Sequence, residues 1–251
     1  MILLKIVAII QARMGSTRLP GKVLKEVLGK PLLEYQIERV KRSKRIDEIV
    51  IATTSKEVDQ PIIDLCNRLS LAYYRGSEED VLARYWQAAT KYHATVVVRL
   101  TSDCPFIDPD IIDAVISEYL SNLDDYDYVS NTLERTFPRG LDVEVMSMKA
   151  LEQAHHEARS GVHREHVTSY LYSHPEKFSL GTVKNSFDAS QYRLTVDTEE
   201  DFQLISRLIH HFSTKGMDFV PFKDILRVLE EKPDWTLINA HIEQKKLDDS
   251  L

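Results

Sequence analysis

Residues 5–10 read KIVAII, apolar and largely β-branched at consecutive positions rather than at alternate ones. A strand with two apolar faces must be covered on both, which is the situation of a strand inside a parallel sheet flanked by helices. The pattern returns three times. A helical period in PLLEYQIERVKRS (31–43) precedes a strand at 46–54. A helix around 58–69 precedes a short strand at 71–75, and a helix at 79–92 precedes the strand ATVVVRL at 94–100. Four β-α repeats imply right-handed crossovers and a mainly parallel sheet whose ligands sit beyond the carboxyl ends of its strands. Four loops fall at that edge: 12–22, 53–55, 75–77 and 101–103.

Beyond residue 125 the alternation breaks down. DYVSNT, GLDVEVMS, helices near 148–159 and 163–173, and strands in FSLGTVK and YRLTV suggest an insertion over about 125–190 before a final strand and helix. Two further helices, split at Pro233, are expected over 221–245. A chain of 251 residues buries about three quarters of its unfolded surface in one core, so a single three-layer α/β/α domain is expected. Cys66 and Cys104 lack any CxxC spacing, which argues against a zinc site and fits small core residues in a reducing cytoplasm. The apolar N-terminus is interrupted by Lys5 and runs into a basic loop, so it reads as strand rather than signal peptide, and no run approaches the length of a membrane span. A net charge of −7 argues against nucleic acid as a partner.

Against that acidic background the loop ARMGSTRLPGK (12–22) is locally basic. Gly15 and Gly21 permit close backbone approaches, and Arg13, Arg18 and Lys22 surround that backbone with charge, a pattern suited to a polyphosphate. A Walker A loop is excluded, because five residues separate the glycines and Val23 stands where a hydroxyl is needed. The competing reading is a solvated turn. Asp103 and Asp197 each follow a predicted strand, and two hard oxygen ligands completed by phosphate and water suit Mg²⁺. For Asp103 the alternative is a turn residue, and for Asp197 a helix cap, a role open to Thr198 too. Asp108 with Pro109 reads as a helix start, as does Ser77 with Asp80. His163 and His166 share a helical face without further zinc ligands; they suit an acceptor pocket, the fold or a dimer interface. Alternation places Asp142 and Glu144 on one strand face, beside Arg139.

The run at 12–22, RLTSDCPFIDP (99–109), FPRGLDVEV (137–145), REHVTSY (164–170) and TVDTEEDF (195–202) together resemble the spore coat polysaccharide biosynthesis protein F family, a branch of the cytidylyltransferases that make CMP-sialate and CMP-Kdo. The resemblance spans nearly the whole chain to about residue 210. It implies a homodimer formed through the insertion, and transfer of CMP from CTP to an acidic sugar for surface or spore coat polysaccharide. Nucleotide contacts are expected from Ala12, Arg13, Gly15, Ser16, Arg18, Lys22 and Ser102, with Arg75, Gly76 and Ser77 by the base. Arg13, Lys22 and Asp103 are expected to be catalytic, and Mg²⁺ to lie on Asp103 and Asp197. Arg139, Asp142, Glu144, Arg164, Glu165 and His166 are the expected acceptor residues. Gln11 and Val23 stand where sialate-activating relatives carry Pro and Asn, which argues against sialic acid. The rival readings are a nucleotidyltransferase using another NTP or acceptor, and a non-catalytic nucleotide- or sugar-binding partner in polysaccharide assembly.

Overall fold

The computed structural model describes residues 4–244. Strand β1 (Ile6–Gln11) leads into the basic loop and a small hairpin, β2 (Glu26–Val27) and β3 (Lys30–Pro31), that the sequence pattern does not announce. The helices and strands α1 (Leu32–Val40), β4 (Glu48–Thr54), α2 (Gln60–Arg68), β5 (Ala72–Gly76), α3 (Val81–Lys91) and β6 (Val96–Thr101) complete the alternating half. Then come α4 (Pro109–Ser121), β7 (Tyr128–Ser130), β8 (Glu144–Ser147), α5 (Met148–Glu157), α6 (Gly161–Glu165), α7 (Ser169–Ser173) and β9 (Leu180–Thr182). The chain continues through α8 (Glu199–Ser213), α9 (Phe222–Glu231) and α10 (Pro233–Thr236).

Seven strands form one sheet in the order β5-β4-β1-β6-β8-β7-β9, in which β8 alone runs against its neighbours. The region read as an insertion therefore extends the main sheet. In β1, Val7, Ala8, Ile9 and Ile10 are all fully buried. Alternate residues serve different layers: Ala8 and Ile10 join Leu33, Ile62, Ile112 and Leu208 on one face, while Val7 and Ile9 join Tyr85, Ala88 and Leu151 on the other. That division confirms the three-layer α/β/α architecture.

After β1 the chain builds outward to β4 and β5, then returns to place β6 on the other side of β1. The order reverses between β1 and β6, so a crevice opens beyond Gln11 and Thr101. Two expected elements differ. The helix over 163–173 is broken into α6 and α7 at Val167, whose φ is +37°, a conformation costly for a β-branched residue in a helix. YRLTV forms no strand; Arg193 makes one bridge to Arg139. Asp108 caps α4 as expected, accepting from the Asp110 N–H at 2.9 Å. Helix α3 begins later than expected, with Asp80 rather than Ser77 at the cap, accepting from the Ala83 N–H. The second of the two helices expected over 221–245 ends at Thr236, and residues 237–244 continue as turns and irregular chain, while residue 245 lies outside the described residues.

Candidate active site

The loop after β1 is held by its backbone and by one carboxylate. The Met14 carbonyl accepts from the N–H groups of Ser16 and Gly21 at 2.9 and 3.0 Å, which closes the turn, and Gly21 takes a φ of +68° that favours glycine. Asp59, almost fully buried at the start of α2, accepts from the Met14 N–H at 2.6 Å and from the Thr54 hydroxyl. It ties the loop to the end of β4. Sequence reasoning missed Asp59, whose setting in EVDQP reads as an ordinary helix start.

Beyond this loop lies a cavity of about 620 Å³. Its walls include Ala12, Arg13, Ser16, Arg18 and Lys22 on one side, Ser102, Asp103 and Asp197 on another, and Val162 and Glu165 of α6 with His166 just after it on a third. The Lys22 ammonium lies 2.8 Å from Asp103 Oδ2 and 2.8 Å from Asp197 Oδ1. Two carboxylates 94 residues apart in the chain thus converge on one cationic point. Burial alone would lower the Lys22 pKa, but the two carboxylates outweigh it and raise it. Burial likewise pushes Asp103 up, yet the charge and hydrogen bond of Lys22, with help from the Thr101 hydroxyl, hold it down at about 2.

Asp197 does not cap α8. Thr198 does, in a reciprocal box with Asp201. Asp197 instead accepts from Lys22 and from Arg193, each at 2.8 Å, and forms an ion pair with Arg18 at 3.0 Å. Arg193 is anchored in turn by Asp201 and by Gln244, at 2.8 and 2.9 Å, and Asn239 donates to its carbonyl. None of these four residues stood out in the sequence, because their partners come from distant turns. The segments that carry the two carboxylates are also stitched together, since the Asp103 carbonyl accepts from the Val196 N–H at 2.8 Å. Gly140 packs closely against the stretch of chain just before Val196. Its φ is +100°, and a Cβ there would stand 2.5 Å from the backbone of Leu194 and Thr195.

Other expected contacts sit elsewhere. Arg75 folds back to donate to the carbonyls of Thr54, Ser55 and Lys56 at 3.0–3.2 Å, and neither it nor Gly76 nor Ser77 lines the cavity. Gly15 packs beside Glu78, which pairs with Lys56 and lies 3.9 Å from Arg13. Glu144 is a core residue rather than an acceptor ligand: its buried carboxylate takes hydrogen bonds from Arg99, from the Tyr128 hydroxyl and from Thr168. Asp142 is held by both outer nitrogens of Arg135, and Arg164 by both oxygens of Asp80. Arg139 is partly buried and outside the cavity wall. Of the six expected acceptor residues, Glu165 and His166 face the cavity. Both cysteines are buried, and burial pushes the Cys66 thiol up to about 12.

This cavity lies at the switch point of a mainly parallel sheet, where folds of this kind hold their ligands. The chain belongs to the cytidylyltransferase family of nucleotidyltransferases, whose model matches residues 7–247, and its nucleotide is CTP. It is 38% identical over 244 residues to an uncharacterized protein of Methanocaldococcus jannaschii, covering 96% of this chain and 97% of that one. It is 36% identical over 236 residues to the spore coat polysaccharide biosynthesis protein SpsF of Bacillus subtilis, covering 91% and 95%. The 3-deoxy-manno-octulosonate cytidylyltransferase of Geobacter metallireducens matches 47% of the chain and 46% of its own length at 31% identity. The solved structure of a cytidylyltransferase from Leptospira borgpetersenii superposes with a TM-score of 0.89 and 33% identity, over 97% of this chain and all of that one. No helix among the described residues is long and apolar enough to cross a membrane.

Proposed function

We propose that the chain transfers CMP from CTP to an acidic sugar, releasing pyrophosphate, in the biosynthesis of a surface polysaccharide. The observation that carries this reading is the convergence of Asp103 and Asp197 on one cation position, 2.8 Å from each, beside Arg13 and Arg18. Among the described residues no cluster of three or more His, Cys, Asp or Glu side chains forms a metal cage. Two focused carboxylate oxygens fit Mg²⁺, which keeps several waters and takes its other ligands from phosphate. Held there, Mg²⁺ would neutralise charge on the phosphate oxygens.

The remaining steps belong to the chain's own groups. Arg13, Arg18 and a displaced Lys22 hold the triphosphate and stabilise the charge that grows on the departing pyrophosphate. The loop backbone, fixed by Asp59, aligns the α-phosphate for in-line attack by a sugar hydroxyl, a contribution of positioning rather than covalent chemistry. His166 and Glu165 face the acceptor. The acidic acceptor is supported by the presence of Arg13 and Arg84 in the cavity wall and by likeness to enzymes named for 3-deoxy-manno-octulosonate. The spore coat role rests on likeness to SpsF alone, and a homodimer through residues 125–190 belongs to the same reading; light scattering tests the latter.

The deciding experiment measures pyrophosphate release with each of CTP, UTP, ATP and GTP against acidic and neutral sugars, with and without Mg²⁺. Release with CTP, an acidic sugar and Mg²⁺ is expected. Equal rates with neutral sugars would refute the acceptor class, and release without any divalent cation would refute the metal role.

A further inference from the structure

Three arginines in the described structure are less than one tenth exposed: Arg39, Arg84 and Arg193. A buried guanidinium requires a counter-charge or a full set of acceptors, because desolvation of the ion is otherwise uncompensated. Arg193 has Asp197 and Asp201, both at 2.8 Å. Arg39 has Asp108 at 4.0 Å, two carbonyls and the rings of Phe106 and Phe219. Arg84, at 1% exposure, has no carboxylate within 4.0 Å among the described residues. Its Nη1 donates to the Ser77 carbonyl, and its Nε is buried without a partner.

The neighbouring acids do not remedy this. Asp59 is engaged by Met14 and Thr54, and Glu78 by Lys56. Burial lowers the Arg84 pKa and the positive charge of Arg13 lowers it further, and the opposing influence of Tyr85, Asp59 and Glu78 does not outweigh them. Gly76 preserves the room that Arg84 occupies, since a Cβ there would lie 3.0 Å from Arg84 Cγ. Arg84 also forms part of the cavity wall, together with Arg13. The one fully buried arginine without an internal anion therefore borders the substrate cavity.

We propose that Arg84, with Arg13 beside it, receives an anionic group of the substrates, either a phosphate of CTP or the carboxylate of the acceptor. The phosphate arm stands on the use of CTP; the carboxylate arm rests on the acidic-sugar reading above. Arg84→Met and Arg84→Lys would be titrated calorimetrically with inorganic pyrophosphate, CTP and 3-deoxy-manno-octulosonate. Weakening of pyrophosphate and CTP by tenfold or more in Arg84→Met, partly restored in Arg84→Lys, supports the phosphate source. A loss of the same size for the sugar acid alone supports the carboxylate source. No loss in any of the three titrations overturns the proposal, and Arg84→Gln replaces the Met variant if that fails to fold. A phosphate-arm loss with no sugar-acid binding in the unmodified protein would leave Arg84 assigned while removing the acidic-acceptor reading.

Discussion

Replacing Lys22 by alanine removes the ammonium that sits 2.8 Å from both Asp103 and Asp197. The two carboxylates are not equally affected. Asp197 keeps Arg18 at 3.0 Å and Arg193 at 2.8 Å. Asp103 keeps the Thr101 hydroxyl at 2.7 Å and the Cys104 thiol at 3.4 Å, neither of which carries positive charge. The cost therefore falls mainly on Asp103. One hydrogen bond to a charged group is worth about 1.5–3 kcal/mol, and a wholly buried carboxylate left unpaired costs about 3–5 kcal/mol. With its side chain one fifth exposed, Asp103 belongs near the lower figure, so a loss of about 2–3 kcal/mol is expected.

The same deletion vacates the cation position. If a metal ion must displace Lys22 from the carboxylate pair, removing that competitor tightens metal binding by about 30- to 140-fold, at 1.4 kcal/mol per tenfold. Turnover should move the opposite way, falling by roughly 10²–10³ because the displaced ammonium no longer reaches the phosphates. Titration of Mg²⁺ into the nucleotide-free protein, urea melts with and without Mg²⁺, and steady-state rates give the three quantities. Unchanged or weaker Mg²⁺ binding by Lys22→Ala would refute the competition, and unchanged turnover would return Lys22 to a purely structural role.

Asp103 gives a pH dependence with a definite sign. Its folded pKa of about 2 lies below the ordinary 3.8, so its contribution to stability is complete above about pH 4 and is lost as pH falls toward 2. Urea midpoints should decline over that interval and decline less in Lys22→Ala; equal slopes would place the acid sensitivity elsewhere. Gly140→Ala forces a Cβ to 2.5 Å from the backbone leading to Asp197, so stability and turnover should both fall, and a fully active, equally stable variant would show that this segment yields easily. Cys66 and Cys104, both buried with raised pKa values, should react with a thiol reagent at pH 8 only after unfolding; rapid labelling of the native protein would contradict that burial.

What was legible in the sequence follows from the range of the interactions involved. Strands β1, β4 and β6 are recognisable because burial on both faces writes an uninterrupted apolar run into the chain itself. The phosphate loop and the two aspartates are recognisable for a related reason, since each lies directly after such a run or after a short extended segment. Glu144 shows where that reasoning stops. Alternation along its own strand marks a face but not what lies across it, and what lies across it is Arg99, its register partner on β6. A carboxylate that looks available in one dimension is already neutralised in three. YRLTV misleads in the same way: Leu194 and Val196 are buried in the main core without strand pairing, and only one bridge, from Arg193 to Arg139, replaces the expected ladder. Lys22 is the sharpest case, because its partners lie 81 and 175 residues away. Local pattern identifies it as a cation near phosphates, whereas only the folded chain reveals that the ammonium rests between the carboxylates proposed to hold the metal. A charged motif therefore locates the site, and cross-chain pairing decides which of its charges remain available to a substrate.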